Sequence, residues 1–269
     1  MKKNKYKILV LSDLKSSTKS TIKSTVGLAK MIDADIELFY VKKPTEIVDQ
    51  DNQLSAMRTI NREHISTEKK IQNVIDTVSK EYDMKINSTF SFGNVKVEIE
   101  NHINKSNPDI VVLGKRKSNP LKFSGDNVTD FVLKKYKGSI LIASEKNTIE
   151  PNKELSLGLI NNMQDVFKVD FAEELLGHAK TPLKSFNIVN SSFDKKKSES
   201  VSGNKTVEYV FEQNDNSLKN LSNYLQKNNI NLVCLDRENS DNKSKAGKMS
   251  EVIKKLEVPV LLSKKQEVA

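Results

Sequence analysis

Two stretches of this chain are echoed later in the same chain. Lys105–Gly114 (KSNPDIVVLG) returns as Lys227–Asp236 (KNNINLVCLD), and Lys137–Ser144 (KGSILIAS) returns as Glu257–Lys264 (EVPVLLSK). In each, a polar turn leads into a short run that is apolar at nearly every position. A strand without polar alternation is covered on both faces, which is the situation of a parallel sheet enclosed by helices. The repeat therefore constrains the chain to build one α/β unit and then build it again.

The remaining segments fit that scheme. Strands are expected at Tyr6–Ser12, Ile36–Val41, Lys85–Phe92, Ile110–Leu113 and Ser139–Ala143. Helices are expected at Ser16–Met31, Leu54–Tyr82, Val95–Lys105 and Val128–Lys137, where apolar residues recur at helical spacing. Asn147–Lys153 (NTIEPNK) reads as a linker. Beyond it, strands are expected at Leu155–Ile160, Leu183–Val189, Val207–Phe211, Ile230–Leu235 and Val258–Leu262, with helices at Asp165–His178, Ser217–Asn228 and Met249–Leu256. The second copy has no counterpart to the long Leu54–Tyr82 helix, and the polar stretch Ser191–Asn204 reads as a mobile loop in its place. Alternating strands and helices imply right-handed crossovers. The fold class is α/β, with two tandem open, mostly parallel five-stranded sheets flanked by helices, over residues 1–147 and 153–266.

Composition narrows the function. The net charge is +9, but nearly all the positive charge is lysine, and the arginines are Arg58, Arg62, Arg116 and Arg237. Arginine suits bidentate phosphate and base contacts, and no basic run interleaves with aromatics as a stacking platform would. Nucleic acid is therefore not the expected partner. No apolar run is long enough to span a bilayer, and Ser12 and Asp13 break the first one, which argues against a signal peptide and for the cytoplasm. Cys234, the one cysteine, lies in the apolar run NLVCL and reads as a core thiol. His64, His102 and His178 lack ligand spacing, so no metal is expected, and no G-x-S-x-G elbow marks a nucleophile. Gly27 lies in a helix pattern, and Gly93-Asn94 reads as a structural turn.

The order of motifs resembles the universal stress protein family, in tandem two-domain form. KILVLSD resembles that family's first strand, DADIELFYV its second, NPDIVVLGKRK its fourth strand and glycine loop, and NVTDFVLKKYKGSILIAS its last helix and strand. The likeness covers residues 5–145 and is fainter over 153–264. It implies an internal pseudo-dimer joined through the last strands, Ser139–Ala143 and Val258–Leu262, and is compatible with a homodimer of whole chains. GKMSE at Gly247–Glu251 is similar to a loop of adenylating enzymes, but the paired-histidine motif those enzymes need is missing.

In the nucleotide-binding branch of the family, ATP lies over the carboxyl ends of the strands, with its phosphates on a loop of pattern G-x-x-G-x9-G-[ST]. The resemblance assigns Asp13 to adenine or ribose, Val41 to the base and Gly114 to the first loop glycine. There the pattern breaks. Lys117 stands at the second glycine. Either Asp126 and Asn127 replace the final glycine and hydroxyl, or Gly125 is that glycine in a shorter loop, with Val128 opening the next helix. Lysine forbids the close backbone approach that glycine allows, and Asp126 would repel an anion while suiting a helix start. Lys115 and Lys117, with Arg116 and Lys122, leave an anion site of different geometry open. The first-domain loop reads as a remnant of an ATP site. The second copy, ending its first strand in Asn161-Asn162 and carrying Asp236 at the place of Gly114, is expected to bind no nucleotide.

The expected function is a non-enzymatic stress-response protein acting through protein partners or a nucleotide or other small anion. The alternative is an ATP-binding, slowly hydrolysing member that uses the first-domain residues.

Overall fold

The structure, a computed structural model, describes residues 4–43, 53–115, 128–160, 170–189, 205–214, 216–237 and 252–263, with the side chains of 53–56 and 189 left aside. The first half runs β1 (Tyr6–Ser12), α1 (Thr18–Ile32), β2 (Ala34–Lys42), α2 (Gln53–Tyr82), β3 (Ile86–Phe92), α3 (Val95–Ser106), β4 (Ile110–Gly114), α4 (Val128–Lys135) and β5 (Ser139–Ala143). The second runs β6 (Leu157–Ile160), α5 (Ala172–Gly177), β7 (Leu183–Val189), β8 (Thr206–Glu212), α6 (Ser217–Lys227), β9 (Leu232–Leu235) and β10 (Val260–Leu262). A helical turn at 252–255 precedes β10.

The strands form one ten-stranded sheet in the order β3-β2-β1-β4-β5-β10-β9-β6-β7-β8. Each half carries the same parallel order. The expected pairing of last strands is present: β5 and β10 run antiparallel, with Leu141 opposite Leu261. Those two leucines are equivalent in the repeat, so the pseudo-twofold axis passes between them. The two expected sheets are thereby one, and neither half presents its last strand as an open edge.

The strands are apolar because both sheet faces are covered. On one face Ile8, Val10, Ile36 and Leu38 pack with Ile22 and Val26 of α1 and Ile71, Ile75 and Val78 of α2. On the other, Leu9, Leu11 and Val111 pack with Ile99, Val132, Leu221 and Leu256. Both clusters run on into the second half. Cys234 belongs to the first of them, and burial pushes its thiol up to about 12, so it is a core residue without thiolate chemistry.

Several local features follow from single residues. The Asn94 side chain accepts from the amides of Lys96 and Val97 at 3.1 and 3.3 Å and caps α3, so Gly93-Asn94 is a structural turn. Gly27 faces the linker: a Cβ there would overlap the carbonyl of buried Ile149. The Ile149 amide donates to Ser24 Oγ at 3.3 Å. The chain thus crosses to its second half over α1.

Some boundaries differ from expectation. β9 begins at Leu232 rather than Ile230, because the Asn231 side chain accepts from the Ser156 amide at 2.8 Å and replaces a ladder bond. β10 begins at Val260, after Pro259, which has no amide hydrogen to donate. Of the expected helices Asp165–His178 and Met249–Leu256, residues 170–178 and 252–256 are described, and the helical parts among them are Ala172–Gly177 and 252–255. Ser191–Asn204 and Gly247–Glu251 lie outside the described residues, and among those described no helix stands between β7 and β8. No helix of the described residues is long and apolar enough to cross a membrane.

Candidate functional site

The register places the carboxyl ends of β2, β1 and β4 side by side. Ser12 lies opposite Tyr40, and Leu11 lies opposite Leu113. Gly114 is therefore level with Ser12, while Asp13, one residue past β1, and Val41, still inside β2, lie one step further on. This is the edge at which open parallel sheets take ligands.

Asp13 occupies a tight turn. Its Oδ1 accepts from the Lys15 amide at 3.1 Å, Leu14 adopts φ 53°, and Ser12 Oγ accepts from the Leu14 amide at 3.0 Å. Ser12 Oγ also lies 3.2 Å from Thr18 Oγ1, which fixes the start of α1 against the end of β1. Val41 is half-buried and packs on the α3 face. Gly114 has a steric reason to be glycine: a Cβ there would stand 2.6 Å from Thr21 Oγ1. Val128 opens α4 and is buried in the same cluster as Val41 packs upon. Lys117, Gly125 and Asn127 lie outside the described residues.

Next to the edge, Lys42 at the end of β2 pairs with Glu63 of α2, and the Lys42 hydrogen bond lowers the Glu63 carboxyl below its ordinary value. His64 packs 4.5 Å from Phe90. The long helix is thus pinned to β2 and β3 by its middle turns. Among the described residues, no group of three His, Cys, Asp or Glu side chains could hold a metal ion.

The profile of the Universal stress protein family matches residues 6–144, over half of the chain. The chain belongs to this family. It is a stress-response class, and the second half supplies a further unit of the same fold. A solved universal stress protein from Archaeoglobus fulgidus DSM 4304 is similar over 98% of this chain and 98% of its own, with TM-score 0.72 at 15% identity. A functionally unknown protein from Pseudomonas aeruginosa PAO1 is similar over 97% and 92%, with TM-score 0.54 at 14% identity. At these identities the likeness shows the fold alone. Among curated protein sequences no match was found.

In this universal stress protein, Lys115 reaches sideways across the seam to the second half. Its amide continues the β4–β5 ladder to the Ala143 carbonyl at 2.9 Å, and its Nζ donates to the Leu256 carbonyl at 2.6 Å. The Glu257 carboxylate lies 3.8 Å from the same ammonium and is shared with Lys146 at 3.1 Å. Burial lowers the Lys115 pKa, and Glu257 opposes that shift.

The second half carries the reciprocal contact. The register makes Asp236 the equivalent of Gly114 and Arg237 the equivalent of Lys115. Arg237 is 2% exposed. It donates from Nη2 to the carbonyls of Leu133 and Tyr136 at 2.7 and 2.8 Å, and from Nη1 to Gly138 at 2.7 Å. A guanidinium thus closes the carboxyl end of α4, where a cation is favoured. Asp236 is buried and accepts from Ser263 Oγ at 2.9 Å. Where the first half has a bare glycine, the second has a carboxylate. Sequence reading had not assigned these inter-half contacts. The available signal was the repeat itself, which aligns the two cations.

Of the expected site residues, Asp13, Val41 and Gly114 thus lie together at the carboxyl edge of the sheet, and the Lys115 ammonium bonds the second half.

Proposed function

We propose that this chain is a non-enzymatic, cytoplasmic stress-response protein that acts by binding a protein partner or a small anionic ligand, and that its first half carries a degenerate ATP site. The observation that supports this reading is the place of Lys115. The lysine that follows Gly114 donates to the Leu256 carbonyl of the second half. The sequence adds Lys117 where the loop would need glycine. In the second half, buried Asp236 would repel a phosphate at the equivalent point, which favours the first half for an anionic ligand.

A second reading keeps ATP binding with slow hydrolysis. It is favoured by the adjacency of Asp13, Val41 and Gly114 at the carboxyl edge. Analysis of nucleotide released from the purified protein, with an assay of phosphate release from ATP and Mg²⁺, separates the two. The proposal expects no retained nucleotide and no release above buffer. Stoichiometric ATP or ADP, or turnover lost in Asp13→Ala, supports the second reading instead.

A further inference from the structure

The two inter-half contacts are equivalent by register and unequal in strength. Arg237 is fully buried and holds three carbonyls. Lys115 makes one carbonyl bond, its side chain is 19% exposed, and its carboxylate neighbour lies at 3.8 Å. The weaker contact is the one that starts beside Gly114, at the edge where a ligand would lie. The stronger one holds the far end of α4. The Glu257 side of the seam also has its own ties: Lys146 pairs with its carboxylate, and Ser144 Oγ and Asn147 Nδ2 each donate to its carbonyl at 2.8 Å. Loss of the Lys115 bond would therefore loosen the turn at Leu256–Glu257 without separating the halves.

We propose that Lys115 is an anion-responsive latch between the halves: an anion at the β1–β4 edge draws its ammonium off the Leu256 carbonyl and Glu257, and so loosens the turn that leads into β10. The inference rests on the reading of that edge as a ligand site. One ammonium cannot serve both positions fully, so anion and latch compete. A shared group with two exclusive positions is a two-state element that the ligand can bias. Linkage makes the effect reciprocal: a change that weakens the latch and keeps the ammonium strengthens anion binding, by up to the same factor. Arg237 stays in place throughout and keeps the seam closed. The second half, with Asp236 at its own edge, would then act as the partner that reads the first half's ligand.

The test uses the full chain and hydrogen exchange of the peptide covering 252–263, with pyrophosphate and ATP as probes and calorimetry for affinity. Lys115→Met keeps the length of the side chain and removes the donor. It should raise exchange at residues 256–258 severalfold without any probe. In the wild type, saturating pyrophosphate should produce the same rise. Glu257→Gln, which leaves Asp13, Val41 and Gly114 untouched and removes only the carboxylate that helps hold the Lys115 ammonium, should tighten pyrophosphate binding by about fivefold. Unchanged exchange in Lys115→Met overturns the latch whatever the ligand does. Probe binding with an unchanged seam overturns the coupling and leaves the edge standing as a ligand site. A seam that opens in Lys115→Met, with neither probe binding the wild type, overturns the ligand reading and the coupling with it.

Discussion

Lys115 and Arg237 occupy equivalent positions in the two halves, and each donates to the carbonyl of the equivalent residue across the seam, Leu256 for one and Tyr136 for the other. Together with the Leu141–Leu261 pair on the pseudo-twofold axis, this makes the junction of the halves a symmetric joint rather than a simple strand contact. The symmetry is broken in the acceptor count, because Arg237 also takes Leu133 and Gly138.

That asymmetry sets the first prediction. Arg237→Ala removes the donor to three part-buried carbonyls and should cost about 3 kcal/mol, since bonds to a charged group are worth roughly 1.5–3 kcal/mol each and are not additive. Lys115→Ala should cost about 1 kcal/mol, having one such bond and partial solvent access. Urea denaturation of the full chain measures both. Equal losses would mean that the two contacts are not as unequal as their geometry.

Gly114 is held to glycine by Thr21, not by a positive φ. Gly114→Ala should destabilise by about 1–2 kcal/mol through overpacking. Thr21→Ala removes the atom in the way, so the double variant should be more stable than the sum of the single losses predicts, by about 1 kcal/mol. Additivity in that cycle would show that the Thr21 contact does not set the identity of residue 114.

Two other glycines should respond in opposite directions. Gly27→Ala meets the backbone of Ile149, which cannot swing aside as a side chain end can, and should lower stability by about 2 kcal/mol. Gly177→Ala has open space around it and should raise stability by about 0.4–1 kcal/mol by restricting the unfolded chain. Thermal unfolding of the two variants reads the sign directly.

Much of the scaffold was legible from residues because burial leaves a direct mark. Ile110–Leu113 is apolar throughout since both its faces are covered, and Asn94 announces a helix start since its side chain bonds the first amides. Asp13, Val41 and Gly114 were singled out by the resemblance to the family rather than by the residues alone. Lys115 was different. A lysine on a four-carbon stem can turn either way, and its sequence neighbours do not say which. Its acceptor lies in the other half, at a carbonyl that any residue would supply. The direction became visible only once β5 and β10 were paired. Arg237 was hidden for the same reason, inside a general excess of basic charge.

The surface carboxylates give a pH prediction. Hydrogen bonds from Lys42, Lys23 and Lys5 lower Glu63, Glu81 and Glu174, respectively, below the ordinary 4.5. A carboxyl lowered in the folded state contributes stability that is complete above its unfolded value and disappears as pH falls through the folded one. Glu63→Gln should therefore be less stable than wild type at neutral pH, and the gap should close as pH falls below 4.5. High salt should shrink the gap at neutral pH, because the carboxylate faces solvent. A gap of constant size from neutral pH into the acid range would show that the Lys42 pair is not its source.

The most direct test of the central claim, a ligand edge that has lost its ATP loop, is calorimetry of ATP against the full chain with and without Mg²⁺, with Asp13→Ala and Asn162→Ala beside it. The account predicts no ATP binding tighter than the millimolar range in any of the three proteins. Micromolar binding in the wild type and Asn162→Ala, lost in Asp13→Ala, would contradict it and show a working nucleotide site in the first half.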